Sequence, residues 1–226
     1  MSEEDLQHFH NLFIAAVAAV PEDYRQTVHY DVRQLLPRIE NRGQRYNLKR
    51  KLIGDHLIKS GERIFCYELY HRLRLAMIAD NGPEIYEGLH LQGELQKQQI
   101  QPLLERMGLL ALSANFAPDF LLHTPGNANN HPYVVEVKTI RFLESEMVED
   151  DIKKIVEFMT RYGYQRGIFL SVNFDYQRLT EMINGNAALP LIEGIQDVAS
   201  RIYIIGQQHF DGSVFSHTLQ QLLGWV

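Results

Sequence analysis

The sequence is short of several things, and each shortage narrows what the chain can be. A single cysteine, Cys66, leaves no internal disulfide framework. No run approaches the roughly 18 apolar residues that a membrane span needs. The longest, Leu12 to Val20 (LFIAAVAAV), follows Glu3, Glu4 and Asp5, whereas a secretory leader would begin with positive charge. A buried helix in a cytoplasmic protein is the expectation. Positive charge is also scarce: the net charge is −6, which argues against a general nucleic-acid coat. It is compatible with an enzyme that grips nucleic acid locally, because a cluster of metal-binding carboxylates is itself acidic. Cys/His spacings for structural zinc, a phosphate-binding glycine loop, a dinucleotide glycine motif and a G-x-S-x-G elbow are all missing. There is no internal repeat, low-complexity tract or clear linker.

What is there suits one domain with an extension. The 226 residues are 45% hydrophobic and 22% charged, enough for a core without staples. Residues 1–60 read as a helical N-terminal extension. Ser2 and Asp5 have capping-box spacing, and Pro21 stops the helix that follows. A second helix is expected from Pro21 to Pro37. A third carries Leu48, Leu52, Ile53 and Leu57, with Arg45, Lys49, Arg50 and Lys51 on its outer side. The main domain, 61–226, begins with a helix over Gly61–Ala79 and breaks at Asn81-Gly82-Pro83. Leu89, Leu91 and Leu95 alternate as in a strand, and Pro102–Leu112 reads as a short helix. Phe120-Leu121-Leu122 and Tyr133-Val134-Val135-Glu136-Val137 flank a stretch of Pro, Gly and Asn, which is turn chemistry, so the two runs form a hairpin. A helix through Val148–Tyr162, a buried strand at Gly167–Phe174, a helix at Tyr176–Ile183 and a strand at Arg201–Ile205 complete an α/β domain with a mixed central sheet.

The hairpin carries the chemistry. Pro118-Asp119 opens one strand and Glu136-Val137-Lys138 closes the other. Alternation puts Glu136 and Lys138 on one face and turns Val135 and Val137 into the core, while strand pairing brings Asp119 alongside. Two carboxylates beside an ammonium suit a hard cation, Mg²⁺ or Mn²⁺, with the Val137 carbonyl as a further oxygen ligand. Such an ion polarises a phosphodiester and activates water, and Lys138 offsets charge that develops on the phosphate.

In Pro118-Asp119 and Glu136-Val137-Lys138, with sixteen residues between the acids, the chain resembles the PD-(D/E)xK, or restriction-endonuclease-like, nuclease superfamily. The resemblance implies an αβββαβ core, here from about residue 61 to 174, and a further glutamate on the first core helix. Glu68, in YELYHRLR, is the choice for that role; Glu62 on the same helix and Glu94 on the expected first strand are its competitors. Glu68 also has Arg72 at i+4 as an ordinary partner. Glu68-Leu69-Tyr70-His71 spells a di-iron Glu-x-x-His, but no second pair exists and the strands contradict a bundle. His8 and His10 read as a solvent-facing H-x-H. Lys153 and Lys154, on the helix after the hairpin, are candidates for phosphate contact. The run Arg45, Lys49, Arg50 and Lys51 is the one concentrated basic patch and the first candidate for gripping a duplex. The expectation is a metal-dependent nuclease acting on DNA, with RNA as the other substrate, in defence, restriction or repair, and a homodimer where both strands are cut. The rival is a nuclease fold without chemistry, serving as a nucleic-acid-binding or scaffolding subunit.

Overall fold

The computed structural model of the chain describes residues 1–25, 59–80, 85–93, 117–125, 130–140, 143–208 and 212–225. Among the described residues the α-helices are α1 (Glu3–Ala18), α2 (Glu22–Arg25), α3 (Lys59–Ala79), α4 (Ser145–Tyr162), α5 (Tyr176–Asn184), α6 (Ile195–Val198) and α7 (Leu219–Leu222). The strands are β1 (His90–Gly93), β2 (Phe120–His123), β3 (Tyr133–Lys138), β4 (Arg166–Val172), β5 (Ile202–Gln207) and β6 (Val214–Thr218). The strands form one mixed open sheet in the order β1-β2-β3-β4-β5-β6. β1, β2 and β3 are antiparallel neighbours, β3, β4 and β5 run parallel, and β6 returns antiparallel. From α3 the described elements follow the order helix, three strands, helix, strand.

Both faces of the sheet are covered, which explains the near-continuous apolar runs of β2 and β4. Leu121, Val134, Phe169 and Ile204 pack on one side under Val148, Ile152, Ile155, Val156 and Met159 of α4. Phe120, Leu122, Val135, Val137, Ile168 and Leu170 pack on the other, against α1 (Leu6, Phe9, Phe13, Val17) and α3 (Phe65, Leu69, Leu73). The 3.6-residue period of the helices thus meets the two-residue period of the strands. Helix α4 sits close because Gly167 of β4 has no side chain: a Cβ there would lie 2.3 Å from Ile155 Cγ2. Gly163, with φ +70°, supplies the left-handed turn that ends α4 and feeds the chain into β4.

Helix α1 has the expected capping box, Asp5 N–H donating to Ser2 Oγ at 3.1 Å and Ser2 N–H to Asp5 at 2.9 Å. It is not a peripheral extension. Its apolar stripe lies in the same core as the sheet, Tyr133 Oη donates to the Leu6 carbonyl at 2.6 Å, and Gln207 Nε2 donates to the Val17 carbonyl at 3.0 Å. A boundary at residue 60 therefore divides one core. His10, expected to face solvent, is buried beside Tyr203 and Ser216, and burial, with the nearby Arg166 charge, pushes its pKa down to about 4. His8 pairs with Asp80. Expected elements over 26–58 and Pro102–Leu112 lie outside the described residues, as do Arg45, Lys49, Arg50, Lys51 and Glu94. Among the described residues no helix is long and apolar enough to cross a membrane.

Candidate active site

The site lies where β3 ends. The β2–β3 register pairs Phe120 with Val135, so Asp119, one residue before β2, falls beside the last residues of β3. Its Oδ2 accepts the Val137 N–H at 2.7 Å, which fixes the carboxylate against the strand. Glu136 and Lys138 occupy alternate positions, on the face turned to α4. Glu136 is 1% exposed.

Helix α4 adds two groups that motif spacing does not predict. Lys154 Nζ donates to Glu136 Oε2 at 2.7 Å and to Asp151 Oδ1 at 3.2 Å. The other oxygen of Asp151, Oδ2, lies 2.9 Å from Lys138 Nζ, so one buried aspartate holds both lysines. Lys138 Nζ is also 3.4 Å from the Val137 carbonyl, the oxygen expected to serve a metal. Helix α3 contributes Glu62, whose Oε2 is 3.9 Å from Lys138 Nζ.

The electrostatics follow from crowding acids in a dry place. Burial raises the pKa of Asp119, opposed by the Val137 N–H and the two lysines. Burial also raises Glu136 well above the ordinary carboxylate range, and the Asp119 charge adds to it. Glu62 is pushed up to about 7, by burial first, with Asp119 and Asp151 reinforcing and Lys138 opposing. Burial works against the charges on Lys138 and Lys154, yet their carboxylate partners outweigh it and hold both ammoniums above the ordinary lysine range. Glu136 Oε1 is buried with no hydrogen-bond partner among the described residues.

Of the expected site residues, Asp119, Glu136, Val137 and Lys138 come together. Glu68 does not join them: its Oε1 accepts from Arg72 Nε at 2.7 Å, an ordinary i+4 pair. Glu62, its competitor on α3, is the one that approaches Lys138. It shares a stripe with Cys66 and Tyr70, one turn and two turns along α3, and that stripe meets the sheet beside Asp119. Lys154, expected to contact phosphate, is turned onto Glu136 instead, while Lys153 is exposed. Asp151 was concealed among the acids Glu149 and Asp150. Its one sequence signal is position, since it lies three residues after Val148 and four before Ile155, on the apolar stripe of α4.

A cleft of about 240 Å³ opens beside Asp119, lined by Cys66, Tyr67, Tyr70, Gly93 and Phe120. Tyr70 stacks on Phe120 with ring centroids 6.4 Å apart, and Tyr67 is 64% exposed. Among the described residues, no three His, Cys, Asp or Glu side chains are gathered closely enough to hold a metal ion as they stand. No protein-family model, curated protein or solved structure matches the chain.

Proposed function

We propose that the chain is a metal-dependent nuclease of the PD-(D/E)xK kind, hydrolysing phosphodiester bonds in DNA and built on a restriction-endonuclease-like core. The observation that carries this reading is the meeting of Asp119, Glu136, Lys138 and Glu62 at the end of β3, three acids and a lysine from three separate elements. Burial and mutual repulsion raise the pKa of all three acids; shifts of this kind cluster at functional sites, and a bound cation relieves them.

By chemistry the donors suit a hard divalent ion, Mg²⁺ or Mn²⁺, which would have to draw the carboxylates closer than they stand. The set is all oxygen, Glu136 Oε1 is buried without a partner, and four carboxylates (Glu62, Asp119, Glu136, Asp151) face two ammoniums (Lys138, Lys154). Asp119 and Glu136 would hold the ion, with Glu62 on the open side. When bound, it supplies Lewis-acid polarisation of the phosphate and a bound water of lowered pKa. Lys138, kept charged by Asp151 and Glu62, stands where it offsets negative charge on a phosphate oxygen. Tyr67 and Tyr70 give a neighbouring nucleotide aromatic surface to stack on.

The second reading, a nuclease fold serving as a nucleic-acid-binding or scaffolding subunit, draws on one fact: Glu136 and Lys138 are already engaged by Lys154 and Asp151. Cleavage assays on single-stranded, duplex, branched and modified DNA and on RNA, with Mg²⁺ or Mn²⁺, decide between them. The nuclease cuts at least one of these and loses the activity in Asp119→Ala and Lys138→Ala. A chain inert on all of them, and taking up no Mn²⁺ by calorimetry, is the scaffold. A cytoplasmic location and a homodimer are part of the same proposal, the dimer being tested by mass in solution.

A further inference from the structure

We infer that Lys154 is a resident counter-ion of the carboxylate site: its ammonium occupies the place on Glu136 that a divalent cation takes, and Asp151 is the seat to which it withdraws. The inference rests on the metal-dependent reading and adds to it a competitor for the metal built into α4.

The geometry supports the exchange. Lys154 Nζ bridges two carboxylates, Glu136 Oε2 at 2.7 Å and Asp151 Oδ1 at 3.2 Å, so leaving the first does not strand it. The side chains of Glu136 and Asp151 are only 2% and 7% exposed, so either would be a costly buried charge without a cation beside it. The helix itself cannot carry the motion. Ile155, the next residue, is seated against Gly167 with no room for even a methyl group between them. The motion must come from the four-carbon stem of the lysine, which is flexible and ends in a point charge. Asp151 keeps Lys138 through its other oxygen, 2.9 Å away, so the lysine proposed to act on phosphate stays in place while Lys154 moves.

This role has a signature opposite to that of a phosphate-binding lysine. Removing a lysine that only contacts phosphate leaves metal affinity unchanged. Removing Lys154 improves it. The test is calorimetric titration of the full-length chain with Mn²⁺, comparing wild type, Lys154→Gln, Lys154→Arg and Lys153→Gln. Lys154→Gln is expected to bind Mn²⁺ about 10-fold more tightly, and to melt at a lower temperature without metal because Glu136 has lost its partner. Lys154→Arg, which keeps the charge, is expected to bind no more tightly than wild type. Lys153→Gln removes the same charge from an exposed neighbouring position and is expected to leave affinity unchanged.

Equal or weaker Mn²⁺ binding by Lys154→Gln overturns the inference, and so does equal tightening by Lys153→Gln, which would reveal only a general charge effect. In both cases a wild type that binds Mn²⁺ keeps the nuclease reading intact. If no form binds Mn²⁺, both fail together. Should Lys154→Gln not fold, Mg²⁺ titration of the wild type followed by lysine side-chain NMR gives the same decision. The Lys154 ε-methylene signal must move on binding and that of Lys153 must not; a stationary Lys154 sinks the idea.

Discussion

At the amino end of β3 and β4, Arg166 stands opposite Tyr133 and is 3% exposed. Its guanidinium donates to Tyr133 Oη at 3.2 Å, reaches Gln7 at 3.4 Å, pairs with Glu3 and lies 5.5 Å over the Tyr203 ring. At the carboxyl end of the same two strands, Lys138 stands opposite Ser171, carboxylates outnumber ammoniums, and Glu136 Oε1, Thr139 Oγ1 and Ser171 Oγ lack partners among the described residues. One end surrounds a single charge with groups that suit it. The other gathers like charges and leaves acceptors open. Buried charge that serves the fold is satisfied locally; under the proposed function, the open acceptors at the other end are those a bound cation would meet.

The contrast can be broken from either end. The largest expected effect is on chemistry: Lys138→Ala should lower cleavage by at least about 100-fold while the chain still folds, as measured by initial rates and circular dichroism. Arg166→Met should do the reverse. It should cost about 1.5–3 kcal/mol of stability, the range for hydrogen bonds to a charged group, with cleavage per folded molecule unchanged. A loss of activity matching that of Lys138→Ala would show that the two ends are not separate.

Glu62 sharpens the comparison through pH. Its ordinary pKa of 4.5 rises to about 7 in the fold, so between those values the folded chain holds a proton that the unfolded chain has released. Its contribution to stability is full below about 4.5 and is lost as pH rises through about 7. Glu62→Gln should flatten that part of the stability curve and, at pH 8 without metal, gain on the order of 1 kcal/mol. Denaturant titration across this window measures it. The smallest effect belongs to Glu3→Ala, below about 1 kcal/mol because Glu3 is 82% exposed although its partner is buried.

Much of this was legible because local chemistry and periodicity agreed. Turn residues between two apolar runs fixed the hairpin, and with it Asp119, Glu136 and Lys138. The 3.6-residue spacing of Val148, Ile152, Ile155 and Met159 fixed α4. The sequence around Glu62 and Glu68 does not separate them, because its aromatic residues point apart: Tyr67 faces outward while Tyr70 faces Phe120. What decides between them is the angle around α3 at which the sheet lies, a tertiary fact. Strand β6 went unread for a related reason. As an edge strand with no fully buried residue, it shows no clean alternation of apolar and polar side chains. Asp151 is the instructive omission: an acid on an apolar stripe signals burial, and its neighbours Glu149 and Asp150 hide it.

The order of the described strands, which follows the chain order, bears on how the molecule assembles. Each strand finds its neighbour next along the chain, so the sheet can grow from the β2–β3 hairpin outward with little entropy lost to closing long loops. Helix α1 is the exception. Its bonds to Tyr133 and Gln207 join residues 127 and 190 apart in sequence. Helix α1 must therefore wait for β3 and β5, made much later than itself, before it can complete its docking. Pulse-labelled hydrogen exchange should find the amides of α1 protected after those of β3 and β4.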